Sequence, residues 1–116
     1  MTEADCIFCR IGKGEVPAKI VREDADTVAF RDLDPRAPLH VLIIPRRHIA
    51  SVNDVVDTDR DVMGALFIAA RDVARLEGVA EDGYRVVMNT GAAAGQSVHH
   101  IHMHVLGGRD LRWPPG

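Results

Sequence analysis

The sequence has no run of about 18 consecutive apolar residues, the length a helix needs to cross a bilayer, so it offers no transmembrane span. Its first ten residues, MTEADCIFCR, carry acidic side chains and no apolar block of the signal-peptide kind. Both absences predict a cytoplasmic protein with no membrane partner. Positive charge is not in excess either: 14 Lys and Arg face 17 Asp and Glu, a formal net charge of −3. A nucleic acid polymer therefore has no electrostatic footprint to bind, although a local site on an acidic protein can still take a single nucleotide. Cysteine is scarce, and the two that occur stand close together in Cys6-Ile7-Phe8-Cys9. In a reducing compartment that spacing reads as half of a metal site or a redox pair before it reads as a structural disulfide. Repeats, linkers and low-complexity tracts are missing. At 116 residues the chain can build one core but not two, so residues 1–116 are expected to form a single domain.

What is present reads as alternating short elements. Ile7, Phe8 and Ile11 have helical spacing, and Gly12-Lys13-Gly14 should end that short helix. AKIVRED and TVAFRDL read as a hairpin turning through Glu23–Asp26. After a loop over Asp34–Pro38, HVLIIPR is a β-branched strand from His40 to Pro45. Asp57 or Thr58 is placed to cap a long helix over residues 59–77. Its apolar stripe is Met63, Leu66, Phe67, Ala70, Val73 and Ala74. YRVVMNT (84–90) reads as a fourth strand, GAAAGQ as a glycine-rich loop, and VHHIHMHVL as a fifth strand. Hairpin-length connections predict an α+β domain, a five-stranded antiparallel sheet with one long and one short helix.

Four of the six histidines fall within residues 99–104. On a strand, alternate residues share a face, so His100, His102 and His104 point one way, spaced about 6.5 Å apart. Ile101, Met103 and Val105 point the other way as a core face, and His99 is out of register with the three. A lone histidine here would be an ordinary solvated side chain; three in strict alternation beside Gln96 and Ser97 ask for a function. The period leaves two chemistries open. Neutral imidazoles can gather a zinc ion that activates water, or one imidazole can be a nucleophile whose neighbours manage charge. Cys6, Cys9, His40 and His48 are the other candidate ligands. A closed Cys2His2 set would be structural and would leave a strand histidine free for chemistry.

The run HIHMHVL resembles the motif of the histidine-triad (HIT) superfamily. In order along the chain, CIFCRIGKGEVPAKIV, VAFRDLDPRAPLHVLIIPRRHI, YRVVMNTGAAAGQSVHHIHMHVLGG and the terminal WPPG are similar to its histidine-triad nucleotide-binding (HINT) branch. The resemblance implies a HIT-like fold, a homodimer with a continuous ten-stranded sheet, and hydrolysis of nucleoside 5′-phosphoramidates, usually of the adenosine (AMP-type, purine) series. His102 matches the nucleophile that forms a nucleotidyl-histidine. His104 and Ser97 match groups that contact the α-phosphate and leaving group, and His40 matches a supporting histidine. Asn89 and Gln96 match positions lining the same pocket. Asp32 matches the carboxylate that takes the ribose hydroxyls, with Ile7, Phe8, Val16, Phe30 and Leu33 around the base.

The cysteines resemble those of a subgroup that pairs Cys-x-x-Cys with two histidines, here Cys6, Cys9, His48 and His100, around a structural Zn2+. The bland alternative is a pair of free thiols. His99 stands where relatives carry an aromatic residue, and Trp113, the only tryptophan, lies in a tail that relatives place near the partner subunit's active site. Two other functions stay open, a dinucleoside polyphosphate hydrolase and a nucleotide-binding module with little catalysis.

Overall fold

The computed structural model describes residues 3–116. The apolar runs pair into one antiparallel sheet in the order β1-β2-β3-β5-β4. Its strands are β1 (Ile20–Glu23), β2 (Thr27–Arg31), β3 (Leu39–Pro45), β4 (Tyr84–Val87) and β5 (Met103–Gly107). Helix α1 spans Ile7–Gly12 and helix α2 spans Arg60–Leu76. This is the α+β architecture expected from the sequence. The turn between β1 and β2 is built by Asp24, whose Oδ1 accepts from the backbone N–H groups of Asp26 (2.8 Å) and Thr27 (2.7 Å).

The two helices cover opposite faces of the sheet. Against α2 lie Ala29, Val41, Ile43, Met103 and Val105, meeting Leu66, Ala69, Ala70 and Val73. Against α1 lie Val28, Phe30, Leu42 and Ile44, meeting Cys6, Phe8 and Cys9. Strand β3 is thus buried on both sides along its whole length, which is why it reads as an unbroken apolar run.

Several boundaries differ from the sequence reading. The fifth strand was expected from Val98, but its ladder begins only at Met103. Pro45, at the end of β3, has no N–H to extend the pairing, and Ile101 N–H instead donates to Ile49 O at 2.7 Å. Strand β4 likewise stops at Val87, before Met88-Asn89-Thr90. Neither Asp57 nor Thr58 caps α2. A 3-10 turn over Asp57–Asp59 precedes the helix, and the buried Asp59 takes the Val56 N–H at 2.9 Å and an ion pair with Arg47. Phe67 is not in the core; it is 62% exposed, and Ala69 occupies the buried position. The helix face against the sheet centres on Leu66, Ala70 and Val73, and Phe67 falls one residue off that centre, toward solvent.

Candidate active site

Residues directly opposite in an antiparallel ladder share a face. His104 pairs with Leu42 and His40 with Leu106, so both histidines stand on the α1 side of the sheet. His102, two residues before His104 on an extended backbone, joins them, and Phe8 of α1 packs edge-on against its ring at a centroid separation of 5.1 Å. Ile101, Met103 and Val105 are buried on the α2 side, as the alternation predicts. The triad face is not simply solvated: His100 is fully buried, His102 is buried and His104 half-buried. His99 is exposed and outside these contacts.

Backbone groups fix the tautomer of each ring. His102 Nδ1 lies 2.8 Å from the His100 carbonyl. A carbonyl only accepts, so Nδ1 carries the hydrogen and Nε2 keeps its lone pair. That carbonyl is free for the task because the ladder has not yet begun at residue 100. On the other side, the Arg36 N–H donates to His40 Nδ1 at 3.0 Å. His40 Nε2 therefore bears the hydrogen and donates to His104 Nδ1 at 2.9 Å, which leaves His104 with an Nε2–H. Asp32 Oδ2 stands 3.4 Å from the same His40 nitrogen. Asp32, His40 and His104 are close enough to suggest a second metal group, but a metal on His40 Nε2 would put the ring hydrogen on Nδ1, facing the Arg36 N–H. The three are a hydrogen-bond relay instead.

The two imidazoles of the relay, His40 and His104, are neutral near pH 7. Burial pushes His104 down to about 4, helped by His102 and His40 and opposed by Asp32. His40 is also lowered, first by burial and then by Arg36, against the pull of Asp32 and Asp34.

The second cluster abuts the first. His100 Nε2 donates to Pro45 O at 2.8 Å, so its Nδ1 lone pair faces inward. There it meets Cys6 Sγ and Cys9 Sγ, each at 3.4 Å, and His48 Nδ1 at 3.2 Å. Cys9 Sγ lies 3.2 Å from His48 Nδ1, and the four ligand atoms all lie within 4.8 Å of one another. One lone pair cannot accept from three donors, whereas one cation can take a lone pair from each of four. Burial pushes the Cys9 thiol up to about 11, with Cys6 adding to the effect, so Cys9 would ionise at neutral pH only with a cation beside it. Burial lowers His100 and keeps it a neutral ligand. These four residues could hold a metal ion, with Pro45 O orienting His100 from behind.

Beside the triad, an apolar cleft of about 230 Å³ is lined by Ile7, Phe8, Phe30 and Leu33, with Asp32 at one side. Leu33 is 96% exposed, at the rim rather than the floor. Val16 is half-buried and does not line the cleft; Pro17 and Ala18 do, together with Ile11, Lys19, Arg31 and Leu42. Gln96 ties its own loop to the segment after β3: Oε1 accepts from Gly91 N–H, and Nε2 donates to Val98 O and to Ala50 O. Its amide braces the segment that carries the exposed Ser97, while Asn89 is half-buried just after β4.

A five-stranded sheet with a triad of histidines beside an apolar cleft is the arrangement of the histidine-triad class of protein. The HIT domain model matches residues 13–111, and the chain belongs to the HIT family. It is 49% identical over 107 residues to the purine nucleoside phosphoramidase of Escherichia coli, covering 92% of this chain and 90% of that one. It is 47% identical over 112 residues to an uncharacterised HIT-like protein of Synechococcus elongatus, covering 97% of each. Among solved structures, a HIT family hydrolase from Legionella pneumophila superposes with a TM-score of 0.94 at 51% identity, covering 97% of this chain and all of that one.

Proposed function

We propose that the protein hydrolyses purine nucleoside 5′-phosphoramidates through a covalent intermediate on His102. The observation that carries this reading is the fixed tautomer of His102, whose Nδ1–H is held by the His100 carbonyl so that Nε2 presents a lone pair. That nitrogen attacks the α-phosphorus, the bond from phosphorus to the amine breaks, and the amine departs with a proton taken from solvent. Water then attacks the same phosphorus and gives up a proton to solvent, the bond to His102 breaks to return the neutral imidazole, and a nucleoside monophosphate leaves. Charge accumulating on the phosphate oxygens meets the Nε2–H of His104, which His40 holds in place. Following the family resemblance, Ser97 offers its hydroxyl to the leaving group and Asn89 lines the same pocket. The base lies in the cleft of Ile7, Phe8 and Phe30, and the ribose hydroxyls lie on Asp32. The phosphoramidase activity of the E. coli relative supports the substrate class.

Cys6, Cys9, His48 and His100 would hold a structural Zn2+. Bond lengths of about 2.0 Å to nitrogen and about 2.3 Å to sulfur give tetrahedral edges of about 3.3–3.8 Å, which the measured ligand separations of 3.2 and 3.4 Å approach. The ion would anchor α1 and supply no open position for substrate. A homodimer joined across a sheet edge follows the family; β4 ends the sheet beyond β5, and the exposed Phe67 and Ile68 of α2 give such an interface apolar area. The cytoplasm is the expected compartment, because there Cys6 and Cys9, which form no disulfide, stay reduced as zinc ligands must.

The test is His102→Ala assayed on an adenosine phosphoramidate with an alkyl or aminoacyl leaving group, beside diadenosine polyphosphates. Turnover should fall by roughly 10³ or more while AMP still binds, because only the nucleophile is lost. Wild-type turnover in the variant would sink the mechanism, and a faster rate on diadenosine polyphosphates would reassign the substrate.

A further inference from the structure

The relay begins at a backbone group outside the histidine cluster, and that group has its own support. Arg36 lies in the loop Asp34–Pro38, between β2 and β3. Its N–H donates to His40 Nδ1 at 3.0 Å. Its carbonyl accepts from the Arg109 guanidinium, through Nη2 at 2.9 Å and Nε at 3.3 Å. Arg109 follows β5 and is steadied by a bond from Nη1 to Asp110 O at 3.0 Å. Next to it, Gly108 has φ +86°, and a Cβ there would stand 2.9 Å from Pro38 Cβ. The loop therefore sits directly on Gly108 while Arg109 grips it from the side. At its start, Asp32 Oδ1 takes the Asp34 N–H at 2.8 Å.

We propose that Arg109, seated by Gly108, is a positioning residue that sets the tautomer of the His40–His104 pair by holding the Arg36 N–H against His40. The pair has two self-consistent states. In one, His40 donates from Nε2 and His104 presents Nε2–H toward the cleft. In the other, His104 donates from Nδ1 to a bare His40 Nε2 and presents a lone pair, which repels phosphate oxygens. The Arg36 N–H accommodates only the first state, since the second puts an N–H on His40 Nδ1 as well. Without the grip on Arg36 O the loop loses its register on His40, and the second state is populated.

This inference rests on the proposed relay for its catalytic consequence, but its primary readout needs no turnover. Imidazole 15N shifts distinguish protonated from bare ring nitrogens in the free protein. Wild type should show Nδ1 bare on both His40 and His104. Arg109→Ala should mix the tautomers of both rings together, and Gly108→Ala, which displaces Pro38, should do the same from the other side. Arg109→Lys, which can still donate to the Arg36 carbonyl, should restore the wild-type pattern. On a phosphoramidate, Arg109→Ala should lower kcat about tenfold, short of the 10²–10³ cost of deleting a transition-state donor outright, with KM within about twofold of wild type. Arg71→Ala, which removes a guanidinium bonded to Asp72 on α2, serves as the control and should change neither readout. Unaltered tautomers in both Arg109→Ala and Gly108→Ala would overturn the proposal, whether or not the protein turns over phosphoramidates. Mixed tautomers in a protein with no phosphoramidase activity would uphold the clamp and reject the function instead.

Discussion

His104 should make the fold acid-sensitive by an amount that can be worked out. Burial first, then His102 and His40, hold its folded pKa at about 4, against an ordinary value of 6.5. As pH falls below 6.5 the unfolded chain takes up the proton first, so stability is full at neutral pH and drains as the pH approaches 4. Linkage puts the loss at about 1.5 kcal/mol at pH 5.5 and about 2.5 kcal/mol at pH 4.5, relative to pH 8. The matched variant is His104→Gln, whose Oε1 can accept the same hydrogen from His40 and which does not titrate. Urea unfolding of both proteins at pH 8, 5.5 and 4.5, with chelator throughout, isolates the term, because every other titrating group is shared. The gap between the two proteins should narrow in favour of the variant by those amounts as pH falls. Parallel curves with a constant gap would refute the buried neutral pair.

Asp24→Ala should act in a similar pH direction through a carboxylate. Burial raises Asp24, but the Arg22 guanidinium with the Asp26 and Thr27 N–H groups outweighs it and holds the folded value at about 2. Its contribution is present above the ordinary 3.8 and lost as pH falls through 2; for a side chain 33% exposed we expect about 1–2 kcal/mol at pH 7, read by urea unfolding. Phe8→Ala should cost about 3–5 kcal/mol in thermal or urea unfolding and weaken AMP binding, since the ring is both core and cleft wall. Phe67→Ser should leave monomer stability within about 1 kcal/mol and instead raise the dissociation constant of the proposed dimer, measured by sedimentation. His48→Ala should weaken Co2+ or Zn2+ binding by roughly 100-fold or more, followed through the thiolate-to-cobalt absorption.

The alternation of histidine and apolar residues survived although the ladder does not reach residue 100. Extended backbone alternates its side chains whether or not it is paired, so Ile101 enters the core without a strand partner. The cluster of Cys6, Cys9, His48 and His100 could be named from motif resemblance, and α1 and the end of β3 bring it together. What the sequence hid depends on atoms that no side-chain pattern encodes. Gln96 is bonded to main-chain groups, one of them 46 residues away. The tautomers follow from two carbonyls and one amide of the backbone. Phe67 shows the limit of periodicity, because a helix face has a phase as well as a period. Val16, named from motif resemblance alone, lies beside the cleft in a loop whose Pro17 and Ala18 line it.

Helix α1 is six residues long, yet Cys9 turns to the metal cluster while Ile7, Phe8 and Ile11 line the cleft. Two ligands that fix the same short element share the entropy of fixing it. On the proposed zinc site and nucleotide cleft, a bound ion would leave α1 already ordered, and a nucleotide would bind more tightly. Thermodynamic reciprocity then requires the nucleotide to raise metal affinity by the same factor. A chelator should therefore strip the ion from the empty protein at a lower concentration than from the nucleotide-bound one.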